Sequence, residues 1–155
     1  MRRFVYTLAC LLMMAPTVVQ AQEKLVLEDG QYYNNEKELF KGQYTTQFEN
    51  GKTKATYSLE QGVLNGKAIF YYEDGSQKEI GFYRSGDKHG EWLKWSESGK
   101  KVAEANYHYG EKDGNWIIWD ENGQKRYDIT YNKGEKAGVW KMWNENGELV
   151  SEKEY

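Results

Sequence analysis

The stretch "GEWLKWSESGKK", residues 90–101, places two tryptophans three positions apart between two glycines. It returns as "GNWIIWDENGQK" at residues 114–125 and as "GVWKMWNENGEL" at residues 138–149, with a constant period of 24 residues. Repetition at a fixed period is typical of an array of structural units that bury a shared core between neighbours. The repeat therefore decides the fold, and the other features of the chain are interpreted around it.

Glycines carry the same period through most of the chain. One series divides the sequence into five units, residues 42–65, 66–89, 90–113, 114–137 and 138–155. That series and two others are Gly42, Gly66, Gly90, Gly114 and Gly138; Gly51, Gly75, Gly99, Gly123 and Gly147; and Gly62, Gly86, Gly110 and Gly134. Residues 22–41 match the period poorly, and we expect them to form one or two N-terminal cap strands that cover the first edge.

Each unit has the pattern of a β-hairpin. Dipeptides such as Asn122-Gly123 suit two-residue turns, whose central residues need positive φ angles. Such a turn would set Glu97 opposite Lys100, Trp95 opposite Val102 and Trp92 opposite Ala105. Longer links such as "GDKHG" would then return the chain to the next hairpin. The predicted fold is all-β: a repeat array of antiparallel hairpins in an elongated, twisted, single-layer meander sheet.

Side chains alternate along a strand, so tryptophans three positions apart point to opposite faces of the sheet. We call these face one and face two. The first tryptophan column, on face one, is Trp92, Trp116 and Trp140. The second aromatic column, on face two, is Tyr71, Trp95, Trp119 and Trp143, with Lys78, Val102, Arg126 and Val150 expected opposite. Packing is the favoured role of the first column. Packing and ligand contact remain equally open for the second, and both columns are candidate partner-binding residues.

The beginning of the chain has the pattern of a secretory signal peptide. Arg2 and Arg3 precede an apolar run at residues 4–15, which is too short to span a bilayer. Val19 and Ala21 are small residues at the −3 and −1 positions of a cleavage site. We expect removal of residues 1–21 and export to the periplasm or the outside of the cell. The chain's single cysteine, Cys10, would be removed as well.

The charge balance disfavours two classes of partner. Loss of Arg2 and Arg3 leaves 19 basic residues of the original 21 against 24 acidic residues, a formal net charge of −5. Binding to nucleic acid or to anionic lipid through bulk charge requires an excess of Lys and Arg. We therefore expect no nucleic-acid partner, and no transmembrane segment after cleavage.

A catalytic or metal site is hard to assemble from these residues. His89, which we expect in a turn, and His108 lack the spacing of a ligand pair. The turn "DENG", residues 120–123, lacks the alternating oxygen ligands of a calcium loop. The glutamates that recur beside the turns form an array of equivalent acids, whereas acid and base roles require two different environments. We expect a non-enzyme that uses no metal and no cofactor.

The unit "YHYGEKDGNWIIWDENGQKR", residues 107–126, resembles the MORN-repeat variant family, whose units have the form Y-x-x-G-x-x-x-G-x-W-x-x-W/Y-x-x-x-G. The match is carried by Tyr107, Gly110, Gly114, Trp116, Trp119 and Gly123. The resemblance covers residues 42–155 and is weaker in the first two units, where Gln47 and Ala68 replace aromatic residues. It implies an elongated single-layer sheet that serves in protein assembly or at membranes. Bacterial arrays of this type are grouped with the YwqK-like antitoxin family, which implies binding and neutralisation of a partner protein.

Two functions from different classes follow. The first is a protein-interaction module, antitoxin-like or an envelope scaffold, which docks or self-associates through the aromatic face or the C-terminal edge strand. The alternative is a cell-wall or glycan-binding module that stacks sugars on the Trp and Tyr rings; the segment "FYYEDG", residues 70–75, is similar to such modules.

Overall fold

A computed structural model describes residues 24–155, which form thirteen β-strands and no helix. The predicted signal peptide lies outside these described residues. The strands are β1 (Val26–Glu28), β2 (Gln31–Tyr33), β3 (Gly42–Gln47), β4 (Thr53–Glu60), β5 (Val63–Tyr71), β6 (Gln77–Arg84), β7 (Asp87–Trp95), β8 (Lys101–His108), β9 (Glu111–Lys112), β10 (Gly114–Trp119), β11 (Lys125–Asn132), β12 (Glu135–Trp143) and β13 (Leu149–Glu154).

The strands from β3 onward follow one another as antiparallel neighbours in one open sheet. Within the described residues the short strand β9 pairs with β8 alone, and β10 takes the next place in the sheet. The strands β1 and β2 form a separate two-stranded sheet. The repeat thus folds as the antiparallel meander that the sequence predicts.

Two-residue turns and longer loops alternate along the array, at positions opposite to those that the sequence predicted. The two-residue turns are the links from one predicted unit to the next, so that Arg84 pairs directly with Asp87. Both central residues of these turns have positive φ angles, the geometry of a type I′ turn. The turns are Gln61-Gly62, Ser85-Gly86, Tyr109-Gly110 and Lys133-Gly134.

The loops that contain Asn-Gly, Asp-Gly or Ser-Gly are one residue longer than predicted. The Ser96 amide donates to the Lys100 carbonyl over 2.9 Å, and the Gly99 amide donates to the Ser96 carbonyl over 2.9 Å. Gly99 has a φ of 77°, as expected for a turn that ends in a left-handed glycine and a bulge. The predicted pair of Glu97 and Lys100 is therefore wrong. The Lys100 ammonium instead donates to the backbone carbonyl of Glu121 over 2.9 Å.

The extra residue also shifts the register beside each loop. Trp92 lies opposite Ala105, as predicted, but Trp95 lies opposite Lys101 instead of Val102 because a bulge intervenes. The same shift places Tyr71 opposite Gln77, Trp119 opposite Lys125 and Trp143 opposite Leu149. The expected partners Lys78, Arg126 and Val150 are wrong for the same reason.

Face one carries the packed core. Ala68, Trp92 and Ala105 are buried together, and Trp92 is 2% exposed. Further rings, most of them partly buried, extend this core along the array, with consecutive ring centroids 5.0–6.3 Å apart. The ladder runs through Tyr57, Phe70, Trp92, Tyr107, Trp116, Tyr131, Trp140 and Tyr155. Contacts between neighbouring units thus replace a globular centre.

The two-residue turns are also linked to one another. The Gly86 amide donates to the Leu64 carbonyl over 2.8 Å, and the Gly110 amide donates to the Lys88 carbonyl over 2.9 Å. Each turn is thereby tied to the beginning of the preceding hairpin, which aligns the units along one edge of the sheet.

The N-terminal strands β1 and β2 lie against the turn between β4 and β5. The Tyr32 amide donates to the Gly62 carbonyl over 2.7 Å, and the Gly62 amide donates to the Phe40 carbonyl over 2.9 Å. The rings of Tyr32 and Tyr44 lie 6.0 Å apart. This segment therefore packs on the first hairpin, while among residues 24–155 the strand β3 pairs with β4 alone.

Candidate functional site

The first tryptophan column is fixed by hydrogen bonds as well as by packing. The Trp92 indole N–H donates to the Phe82 carbonyl over 3.2 Å. Trp116 and Trp140 donate in the same way to Asn106 and Thr130, over 2.9 Å and 2.8 Å. Each indole thus satisfies a carbonyl of the neighbouring strand in the sheet. The column holds neighbouring hairpins together, and its buried member Trp92 offers little surface to a partner.

Lysine ammonium groups lie over the rings of face one, a feature that the sequence reasoning missed. Lys112 Nζ lies 4.6 Å from the Trp116 ring centroid and 4.8 Å from that of Tyr131. Lys88 makes the same contacts with Trp92 and Tyr107, and Lys136 with Trp140 and Tyr155. A cation over an aromatic face contributes about 0.5–1 kcal/mol at an exposed site. The 24-residue spacing of the three lysines was the available signal.

Three partly buried phenols of face one are held in their neutral form. Burial raises the pKa of Tyr83 from its ordinary value of 10.0 to about 12. Burial also raises the pKa of Tyr57 and of Tyr107. A phenol with a raised pKa is a poor general base near neutral pH. The titration of these groups therefore reflects packing.

The second aromatic column lies on face two, where its rings are half-buried. Lys101 Nζ lies 4.6 Å from the Trp119 ring centroid, and Lys125 Nζ lies 5.6 Å from that of Trp143. An acid three residues along the chain holds each lysine: Glu104 is 2.9 Å from Lys101, and Asp128 is 3.0 Å from Lys125. The predicted column therefore lies on one face of the sheet, but ion-paired lysines cover two of its rings, Trp119 and Trp143.

Face two also exposes rings that the sequence reasoning did not select. Phe82 is 52% exposed, and Tyr109 is 44% exposed. The guanidinium of Arg84 lies 5.5 Å from the Tyr109 ring centroid. The counterparts of Phe82 one unit before and one unit after are Ser58 and Asn106. A departure from the period was therefore the signal that could have identified this exposed ring.

The two histidines come together beside Tyr109. The rings of His89 and His108 lie 5.3 Å apart, and both lie within 5 Å of the Tyr109 ring. The expectation of a turn position for His89 is wrong, because it lies within β7. Within residues 24–155, no group of three or more histidine, cysteine or acidic side chains is placed to hold a metal ion.

The turn considered for calcium is held by its own backbone. The Asp120 carboxylate accepts hydrogen bonds from the amides of Asn122 and Gln124 over 2.9 Å and 3.0 Å. These bonds, with Arg126 at 3.5 Å, lower the pKa of Asp120. The carboxylate therefore shapes the loop, and its oxygens are already engaged.

The described residues contain no helix long and apolar enough to cross a membrane.

The comparison with known families agrees with this geometry. The sequence model of the MORN repeat variant family matches residues 64–85, 88–109, 112–133 and 136–155. Each match begins just after a two-residue turn and spans one complete hairpin. MORN repeats generally serve in protein or membrane interaction and are generally not enzymes. A search of curated proteins finds no match. Since the four matches cover more than half of the sequence and coincide with the observed hairpins, the chain belongs to the MORN repeat variant family.

Proposed function

We propose that this protein is an exported, non-catalytic repeat protein that binds another protein through face two. The observation that carries the proposal is the alignment of half-buried rings in the second aromatic column beside the exposed Phe82 and Tyr109. Trp, Tyr and Arg dominate the binding energy of many protein interfaces. An aromatic column on a sheet is already ordered before binding, which lowers the entropic cost of association.

The two columns have different parts in this proposal. Tyr71, Trp95, Trp119 and Trp143 contact the partner, whereas Trp92, Trp116 and Trp140 hold the hairpins that present them. Clamped lysines support protein recognition, because a rigid cation beside an aromatic ring can pair with a carboxylate on the partner. The partner is a toxin that the protein neutralises or an envelope component that it scaffolds. The alternative to both partners is self-association, in which a second copy of the chain binds through the aromatic face or β13.

A pull-down from the native envelope fraction tests the proposal, with residues 22–155 as bait. The double variant Trp119→Ala/Trp143→Ala should lose the captured protein while its circular dichroism stays that of the wild type. Tyr127→Ala is the matched control, since Tyr127 is 39% exposed but lies on face one opposite Ile118. The purified partner should then bind the wild type and Tyr127→Ala with equal affinity.

Other outcomes replace this proposal. If the double variant captures the partner as well as the wild type does, the second aromatic column is not the docking surface. If the wild type captures no protein but sediments with purified wall polysaccharide, a glycan-binding role replaces protein recognition. Export is tested separately by mass spectrometry of the protein recovered outside the cytoplasm. Its mass should be that of a chain that begins at Gln22.

A further inference from the structure

An open basin lies on face two at the first two hairpins of the array. Its volume is about 510 Å³, and its lining combines hydroxyl groups, one aromatic ring and one ammonium group. We call it the threonine basin, defined by Lys52, Thr53, Thr56 and Tyr71 together with Thr45, Gly51 and Gly75. It is distinct from the tryptophans of the second aromatic column and shares only Tyr71 with that column.

The third and fourth units carry an ion pair at this position. In the third unit, Lys101 lies over the ring of Trp119 and is held by Glu104. The counterparts of these three residues two units earlier are Thr53, Tyr71 and Thr56. Two short hydroxyl side chains thus stand where the third and fourth units carry an ion pair. The basin is the space that the missing lysine and glutamate would otherwise fill.

Four polar side chains of the basin are available to a ligand. In the described part of the chain, the hydroxyls of Thr53, Thr56 and Tyr71 and the ammonium of Lys52 form no hydrogen bond or ion pair. The nearby carboxylate of Asp74 is held by Ser76, whose hydroxyl and amide donate to it over 2.6 Å and 2.7 Å. These bonds, and to a smaller extent the charge of Lys52, lower the pKa of Asp74. Free donors and acceptors around one ring are the usual lining of a site that orients a polar ligand.

We propose that the threonine basin binds a saccharide that carries a carboxylate. The C–H face of a sugar ring suits the electron-rich face of Tyr71, and sugar hydroxyls can both donate to and accept from the hydroxyls of Thr53 and Thr56. The ammonium of Lys52 supplies a charge-assisted partner for a carboxylate and disfavours a cationic ligand. This assignment does not depend on the protein-binding role of the second aromatic column.

Amide chemical shifts of the mature chain provide the test, with two tetrasaccharides as probes: one of neutral glucose and one containing glucuronic acid. We expect shifts confined to the amides around Thr53, Thr56 and Tyr71, with tighter binding of the acidic probe. Thr56→Val keeps the β-branched shape but removes the hydroxyl, and it should weaken binding about fivefold, the equivalent of one hydrogen bond. Lys52→Gln should abolish the preference for the acidic probe.

Two reciprocal variants separate the basin from the rest of the sheet. Thr53→Lys/Thr56→Glu rebuilds the ion pair of later units over Tyr71 and should abolish binding. Lys101→Thr/Glu104→Thr should open a second basin over Trp119, so that added saccharide changes the tryptophan fluorescence. The proposal is overturned if the filled variant still binds, if the shifts lie elsewhere, or if tetramethylammonium occupies the basin in preference to both saccharides.

Discussion

Gly81 lies directly under the Trp92 indole, and a β-carbon at this position would overlap the ring. We predict that Gly81→Ala destabilises the protein by about 1–3 kcal/mol, the usual cost of overpacking a filled core. Urea denaturation measures the change. The smaller ring of Trp92→Phe should make the double variant less than additive. Unchanged stability of Gly81→Ala would show that the indole is free to move.

Tyr83 should make the stability of the protein depend on alkaline pH. Its pKa is raised to about 12 in the folded chain against 10.0 ordinarily, so the unfolded chain loses this proton first. The free energy of unfolding should therefore hold below pH 10 and fall as the pH rises from about 10 to 12. Tyr83→Phe should make that fall shallower. Equal slopes for the two proteins would contradict the burial of this phenol.

At the scale of the hairpin, each two-residue turn of the array holds a non-glycine residue at a positive φ angle, which costs conformational free energy. Lys133 has a φ of 49°, a conformation that asparagine and glycine adopt more readily than lysine. Lys133→Asn should therefore stabilise the protein by a few tenths of a kcal/mol, up to about 1 kcal/mol. Thermal unfolding measures the gain. The control Lys125→Asn alters a lysine outside the turns and should not stabilise; an equal gain there would discount the turn geometry.

The same hairpins show why the sequence predicted some pairs and missed others. The pair of Trp92 and Ala105 was found, although the loop between them is longer than assumed, because the bulge beside Trp95 compensates for the extra residue. Asn-Gly is compatible with both a two-residue turn and a longer loop that ends in a left-handed glycine. Only backbone geometry distinguishes the two, so Lys101, the actual partner of Trp95, could not be deduced from spacing.

At the scale of the whole molecule, the 24-residue period predicted the array of hairpins and the two aromatic columns. It did not predict which side chains lie over the rings. Lys88, Lys112 and Lys136 share one spacing and could have been grouped from the sequence. Phe82 breaks the period, since its counterparts are polar, and that break marks it as a residue that the sequence could have singled out. Its 52% exposure depends on how the neighbouring strands pack, which spacing alone does not give.

Stability should also vary along the array, because each hairpin contacts only its neighbours. Trp92 is 2% exposed near the middle, whereas every residue of β13 is exposed. Hydrogen exchange should therefore be slowest for the amides of β6 to β8 and fastest in β13, since local opening follows burial. Uniform protection along the sheet would indicate that the array unfolds as one cooperative unit.

The constant spacing of the units gives natural variation a simple means of changing this molecule. Loss or duplication of one complete unit among the last three leaves the rings of the first tryptophan column beside the same kinds of neighbour, each with a lysine above it. Insertion or deletion of a single residue within a strand would instead move the side chains that follow in that strand to the other face of the sheet. The sheet can therefore be lengthened or shortened only by whole 24-residue units, and the length of its binding surface changes in the same steps.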